Sequence, residues 1–270
     1  MWQGLEPEDQ HWIRAVAAAN ASPSRPVLSH ETAALFWGIP RIRPLPSRIH
    51  VLTSRASGSR TEGAFQRHAT DDQEVYVVAQ QGVRITGVLR TLVDHCSVMP
   101  FADAVVALDW ALGPEGAVTS RSMLRLLTDR LSSPRARPRV LRALEFADPL
   151  AGSPGESLSR VVLHQLGFPR PVLQQRFEDR RGFVGMTDFW WPEHGVIGEF
   201  DGAVKYLAPE FAAGAAPAQV LIAEKRRENR LRALGPKIVR WDWRAATHPA
   251  ELRGLLLEAG LPLERGRNRR

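Results

Sequence analysis

The spacing of apolar residues predicts alternating short strands and helices in the first half of the chain. Helical spacing predicts two helices near 8–20 and 29–38 and four further helices near 87–98, 100–112, 119–130 and 135–147. Short apolar runs between them predict strands near 48–53, 64–68, 74–78 and 84–86. Ser29 stands where the second helix begins and is expected to cap it. The pattern favours a mixed α+β domain.

A turn-rich stretch, residues 148–155, separates this half from a second pattern. A helix is expected from Glu156 to a stop at Gly167, and a second one over about 218–234. Three strands are expected between these helices, and a last strand with Trp241 and Trp243 follows them. The predicted domains are therefore 1–148 and 149–262, with a disordered basic tail at 263–270. The expected fold class is α/β.

Three carboxylates are expected on one face of a β-hairpin in the second half. Two apolar runs flank a four-residue turn, Pro192–Gly195, and Pro and Gly at these positions are typical of a hairpin. A symmetric antiparallel register places Asp188 opposite Glu199, and Asp201 shares the face of Glu199. Like charges this close repel each other, so one carboxylate should stay protonated unless a cation lies between them, and the pattern favours a metal ion.

Oxygen ligands of this kind suit Mg²⁺ or Mn²⁺. Glu156, in the first turn of its helix, can reach toward the neighbouring sheet edge. Lys205, which follows Asp201, and Lys225, on the second helix, are candidates to stabilise negative charge on a phosphodiester. A polar face exposed to solvent, with no ion, is the alternative for the three hairpin carboxylates.

The order helix-Glu, strand-Asp, turn, Glu-x-Asp-Gly resembles the PD-(D/E)XK nuclease superfamily, in particular the branch related to very-short-patch-repair endonucleases. The resemblance covers about residues 153–245 and implies a restriction-endonuclease-like mixed sheet flanked by helices. It also implies that Asp188 and Glu199 bind the metal and that Glu156 is a supporting acid. The superfamily's usual Lys is replaced by Asp201, so Lys205 or Lys225 is expected to substitute for it.

Charge favours a nucleic-acid partner. The formal net charge is +7, and the second helix carries Arg226, Arg227 and Arg230, which are expected to contact DNA phosphates. A solvated helix laced with salt bridges is the alternative, since Glu224 and Glu228 share one face and Glu228 can pair with a basic residue one turn on.

The first half resembles the AbiEi-type antitoxin family of type IV toxin–antitoxin systems. The resemblance is carried by Val27-Leu-Ser-His-Glu-Thr-Ala-Ala34, Ile49-His-Val51 and Val88-Leu-Arg-Thr-Leu-Val-Asp94. It implies a possible protein partner of the toxin–antitoxin type. A polar helix start explains Ser29, His30 and Glu31 better than a catalytic role does.

Composition argues against secreted, membrane-spanning, zinc-binding and nucleotide-binding proteins. The single cysteine, Cys96, cannot form an internal disulfide, and no signal peptide or membrane span is visible. The expectation is a cytoplasmic protein without a membrane partner. The eight histidines are scattered, without the spacing of a zinc site, and no nucleotide-binding glycine motif occurs.

These patterns together predict a metal-dependent nuclease that hydrolyses DNA phosphodiesters, in genome defence or repair. Two other classes remain open. One is a catalytically inactive DNA-binding regulator, and the other is an antitoxin-like interaction protein.

Overall fold

The computed structural model describes residues 2–71, 75–114, 116, 120–131, 133–202 and 217–264. The chain divides into two compact units, Met1–Pro149 and Leu150–Arg270. Each unit contains a sheet and several helices, so the predicted α/β fold class is confirmed. Lys205 and most of the predicted basic tail lie outside the described residues.

The N-terminal unit begins with two helices that flank its first strand, continues through five further strands and ends with four helices. Its elements are α1 (Pro7–Ala21), β1 (Val27–Leu28), α2 (His30–Phe36), β2 (Ile49–Ser54), β3 (Arg60–Glu62), β4 (Phe65–Thr70), β5 (Val77–Gln80), β6 (Val83–Thr86), α3 (Val88–Val98), α4 (Phe101–Leu112), α5 (Arg121–Asp129) and α6 (Ala136–Phe146).

The six strands form one mixed sheet in the order β3-β4-β2-β1-β6-β5. Strands β2 and β4 run parallel, whereas β1 is antiparallel to β2 and parallel to β6. The central strands contribute fully buried Leu28, Val51 and Ile85, and α1 and α2 cover them with the small residues Ala15 and Ala33. Small residues at these helix positions allow close approach of helix and sheet.

The C-terminal unit has the predicted order of helix, three strands, helix and strand. Its elements are α7 (Pro154–Leu166), β7 (Val172–Asp179), β8 (Gly182–Trp191), β9 (Val196–Phe200), α8 (Pro217–Ala233), β10 (Lys237–Trp241), α9 (Trp243–Thr247) and α10 (Pro249–Glu258). The sheet order is β10-β9-β8-β7; β7, β8 and β9 are antiparallel, and β10 lies parallel to β9.

The sheet of the C-terminal unit is covered on both faces. One face carries Val184 and Ile197 and packs against Leu231 of α8. The opposite face carries Phe200 and Trp241, and it packs against α7, where the indole of Trp241 donates a hydrogen bond to Ser159 Oγ over 2.8 Å. A mixed sheet flanked by helices is therefore confirmed for this unit.

Local capping explains where α7 begins and ends. The Ser153 hydroxyl accepts a hydrogen bond from the backbone N–H of Glu156, and Pro154 occupies the first helical position. Gly167 closes the helix in the left-handed conformation, with φ at 81°. Gly167 is the stop that the sequence predicts, whereas the helix begins at Pro154, two residues before the predicted start at Glu156.

The structure differs from several local predictions. Ser29 precedes α2, but among the described residues its hydroxyl makes no capping bond and instead contacts Nδ1 of His30 at 3.0 Å. The last strand ends at Trp241, so Trp243 begins α9 instead of continuing the strand. Strands β1 and β3, at two and three residues, and helices α9 and α10 were not predicted.

Within the described ranges, no helix combines the length and apolar character needed to cross a lipid bilayer.

Candidate active site

The hairpin of β8 and β9 has the register that the sequence predicts. Phe189 pairs with Gly198, Trp190 with Ile197, and Trp191 with Val196, all with the same index sum. The next position along the two strands places Asp188 across from Glu199. Regular alternation puts both on the face of the sheet that α8 covers, and Asp201 follows on that face.

The side chain of Asp188 links β8 to β9 just beyond the last paired residues of the two strands. Its Oδ2 accepts a hydrogen bond from the backbone N–H of Phe200 over 2.8 Å, and its side chain is partly buried. Asp201 is held through its backbone, because its N–H donates to the carbonyl of Trp241 over 2.8 Å. In the described part of the chain, the Asp201 carboxylate has no hydrogen bond or ion pair.

Two arginines hold Glu199, which is 6% exposed. Its Oε1 lies 2.6 Å from Arg227 of α8, and its Oε2 lies 2.8 Å from Arg240 of β10. Both arginines also contact Oε1 of Glu224, at 3.0 Å and 2.6 Å. We call Glu199, Glu224, Arg227 and Arg240 the arginine–glutamate network.

The charges of this network stabilise one another. Burial alone would lower the pKa of Arg227, but the hydrogen bond with Glu199 raises it above its usual value. Burial of Arg240 acts in the same direction and is outweighed by its hydrogen bond with Glu224 and by the charges of Glu199 and Asp201. Burial would raise the pKa of Glu224, yet its two arginine partners lower it. Arg227, Arg240 and Glu224 are therefore charged at neutral pH.

Arginines, and not a metal ion, offset the negative charge of Glu199 in this structure. Guanidinium groups occupy both oxygens of Glu199, where the sequence predicts a metal ion. No set of three Asp, Glu, His or Cys side chains among the described residues could hold a metal ion together. The oxygen donors suit a hard cation in type, but in this arrangement they do not form a metal site.

Glu156 lies at the start of α7, on the side of the sheet opposite α8. It is buried and accepts hydrogen bonds from the Gly152 N–H at 2.8 Å, the Ser153 hydroxyl at 2.9 Å and the Gln174 amide at 3.0 Å. The Ser153 hydroxyl thus accepts from the backbone N–H of Glu156 and donates to its carboxylate, which gives Glu156 a structural role at the helix start. No described contact brings its carboxylate to Asp188 or Glu199.

Gln174 is a residue that sequence reasoning missed. The pairs on either side, Leu173 with Phe189 and Gln175 with Thr187, place it across from Asp188. Its φ is 48°, which is unusual for a non-glycine residue inside a strand. Such conformations cluster at functional sites. Gln174 is one of two adjacent glutamines in a largely polar strand, so the sequence gives no signal that singles it out.

The basic residues of α8 separate into two groups. Arg227 and Arg230 face their own sheet: Arg230 contacts the two carboxylate oxygens of Asp179 at 2.6 and 2.7 Å and lowers the pKa of that group to about 2. Arg226 and Lys225 are exposed. Lys225 lies 3.9 Å from Glu228 Oε2, whereas Arg226 has no partner in the described ranges. Phosphate contact is thus more accessible to Arg226 and Lys225.

A second polar cluster lies in the N-terminal unit. The rings of His30 and His68 are stacked with centroids 3.6 Å apart, and Nε2 of His68 lies 3.3 Å from Nδ1 of His50. We call these three residues the histidine cluster. They come from α2, β2 and β4, so their separate positions in the sequence give no local spacing to detect.

Comparison with known proteins does not assign a family. No family profile and no curated protein matches the chain. The crystal structure of the RV2827C protein from Mycobacterium tuberculosis is similar over 64% of this chain and 65% of its own, with 16% sequence identity and a TM-score of 0.35. The match thus covers slightly less than two thirds of that protein.

Proposed function

We propose that the C-terminal unit is a nuclease domain of the PD-(D/E)XK type that hydrolyses DNA phosphodiesters with Mg²⁺ or Mn²⁺. The observation that carries the proposal is the placement of Asp188 across from Glu199 on a core of helix, three strands, helix and strand. Asp201 adds a third carboxylate to the same face, where its charge acts on Arg240.

The arginine–glutamate network defines a resting arrangement in this proposal. A divalent ion and a guanidinium compete for the same carboxylate oxygens, so at least one arginine must leave Glu199 before an ion can bind there. Arg227 and Arg240 are each about one quarter exposed, which leaves them access to solvent. Once released, either guanidinium is suited to bind a phosphate oxygen.

Cleavage of supercoiled plasmid, with Mg²⁺, Mn²⁺ or chelator, tests the proposal. Wild-type protein is expected to nick the plasmid only with a divalent ion. Asp188→Asn keeps the side-chain volume but removes the charge, and it should lower the rate at least about a hundredfold, as loss of an electrostatic group at a reaction centre does.

Glu178→Gln is the matched control for that assay. Glu178 lies on β7 of the same sheet, is 59% exposed and pairs with Arg176 at the surface, so its loss should leave cleavage unchanged. Circular dichroism establishes that both variants fold. Persistent cleavage by folded Asp188→Asn would exclude the role of Asp188, and an inactive wild type under all ions would exclude the nuclease.

A second candidate function is a DNA-binding regulator without catalysis. The specific observation in its favour is that both oxygens of Glu199 are bound by arginines. It predicts salt-dependent DNA binding with no cleavage under any divalent ion. Arg226→Gln should weaken binding and reduce the salt slope by about 1, whereas Arg253→Gln, an exposed charge on α10, should not.

A protein partner of the toxin–antitoxin type stays a prediction from the N-terminal sequence. Purification of the full chain with the product of a neighbouring gene tests it, and a stable complex with weak DNA affinity is the expected result for that class.

A further inference from the structure

A cavity of about 290 Å³ lies within the N-terminal unit. One wall comes from β2 and β4, and the other from α3, α5 and α6. Its volume is close to the lower end of the range for small-ligand sites, about 300–1,000 Å³. Leu52, Val93 and Leu127 supply apolar surface, while His30, His68 and several arginines supply polar groups.

Two members of the histidine cluster, His30 and His68, line this cavity. Burial lowers the pKa of His68 to about 4 and, together with the neighbouring His68 and His50, holds the pKa of His30 well below its usual value. These rings are therefore neutral at pH 7 and can donate hydrogen bonds without carrying charge. His30 also has a φ of 50°, a strained conformation for a residue with a side chain.

The stacking of the rings argues against a metal at this place. Nitrogen lone pairs lie in the plane of an imidazole, so two nearly parallel rings, 16° apart in orientation, direct their lone pairs side by side. Convergence on one ion requires rings that are turned toward a common point. Within the described ranges, no group of three ligands is suitable for a metal ion.

The rim of the cavity is cationic. Arg90, Arg130, Arg135 and Arg139 line it, and among the described residues the lining carboxylates are Asp71 and Asp94. Each of these carboxylates has its own arginine: Asp94 lies 2.8 Å from Arg90, and Asp71 pairs with Arg55 outside the cavity.

Two rim arginines are left available for a ligand. Arg135 and Arg139 are exposed and have no acidic partner in the part of the chain that the structure describes. Exposed guanidinium groups beside neutral imidazole donors fit the oxygen atoms of a phosphate, which a guanidinium can bind through two parallel hydrogen bonds.

We propose that this cavity binds a small phosphorylated molecule of nucleotide size. Its phosphate would lie at the arginine rim within reach of His68, and its ring system against the apolar wall. A ligand of this class is independent of the proposed nuclease function, because every lining residue belongs to the N-terminal unit.

Isothermal titration calorimetry on the full chain tests the proposal, with ADP and inorganic pyrophosphate as probes. Saturable binding of one ADP per chain is expected. Arg139→Gln should weaken it about tenfold, which corresponds to the loss of one charge-assisted hydrogen bond. His68→Phe keeps an aromatic ring against His30 but removes the polar nitrogens, and it should also weaken binding.

Arg137→Gln is the matched control. Arg137 lies on the same helix, α6, is 50% exposed and pairs with Asp129, and it does not line the cavity. The proposal requires ADP affinity in this variant to stay within about twofold of wild type. An equal loss in Arg137→Gln and Arg139→Gln would show nonspecific attraction and overturn the proposal.

Two further outcomes would also overturn it. One is the absence of binding to both probes at millimolar concentration. The other is binding of a 5′-phosphorylated oligonucleotide, but not of ADP, in a manner sensitive to Arg139→Gln, which would assign the cavity to a nucleic-acid end. Arg139 is exposed, so its variant should fold even if His68→Phe does not.

Discussion

Replacement of Glu199 by glutamine tests whether the arginine–glutamate network holds the C-terminal unit together. The substitution keeps the volume of the side chain and removes its charge. It leaves Arg227 and Arg240 close together with Glu224 as the one remaining carboxylate of the network. Loss of one partner of a buried ion pair costs about 3–5 kcal/mol.

The expected cost for Glu199→Gln is smaller than that range. Arg227 and Arg240 are 25% and 26% exposed, so solvent screens part of the charge that is left uncompensated. We therefore expect the free energy of unfolding to fall by roughly 2–3 kcal/mol. For a unit of this size, that corresponds to a decrease in Tm of roughly 10 °C.

Denaturant unfolding followed by tryptophan fluorescence measures this change. Four of the eight tryptophans, at positions 190, 191, 241 and 243, lie in the C-terminal unit. The control is Glu178→Gln, which removes a carboxylate from an exposed ion pair of the same sheet and should cost less than about 0.5 kcal/mol.

A double-mutant cycle that combines Glu199→Gln with Arg227→Gln then measures the interaction energy between these two residues. A coupling energy above about 1 kcal/mol is expected for residues in direct contact. If Glu199→Gln and Glu178→Gln have equal and small effects, the network does not stabilise the fold, and the reasoning from burial is refuted.

Four further predictions concern packing, capping, protonation and reactivity. Gly155→Ala should destabilise the C-terminal unit by about 3 kcal/mol in denaturant unfolding, because the added Cβ would overlap the ring of Phe200. As a control, Gly254→Ala in the open interior of α10 should stabilise the unit by up to about 1 kcal/mol. Ser153→Ala should lower the Tm of the same unit through the loss of about 1 kcal/mol of capping. The pKa values of the histidine cluster are lowered in the folded state, so the unfolded chain binds more protons below pH 6.5. Calorimetry should therefore show the N-terminal unit losing stability as the pH falls from about 6.5 toward 4. A flat profile in that range would contradict the assignment of neutral rings. Burial raises the pKa of Cys96 to about 12, so a thiol reagent should label it only after denaturation.

Local sequence pattern was sufficient for the hairpin of the candidate site. Pro192 and Gly195 define the turn, and the side-chain period of a strand fixes which residues face each other. The register of Phe189 with Gly198 follows from these two facts alone. The end of helix α7 was predictable for a similar reason, since its stop, Gly167, directly follows the helical pattern.

The partners of the carboxylates could not be predicted in the same way. Arg240 reaches Glu199 because β10 lies parallel to β9 with these two residues in register, and this depends on how α8 returns the chain to the sheet. The histidine cluster likewise depends on the parallel pairing of β2 with β4. Contacts of this kind are set by the packing of whole elements, which residue spacing does not encode.

The left-handed backbone at Gln174 turns its side chain away from the face of the sheet on which Asp188 lies. Regular alternation would direct Gln174 toward the α8 face, yet its amide reaches Glu156 on α7, which packs against the other face. Strand β7 thus withdraws a side chain from the surface next to Asp188, at a backbone cost of about 1–3 kcal/mol. If the unit is the nuclease proposed above, the room that this leaves for a phosphodiester is the geometric benefit that would offset such a cost.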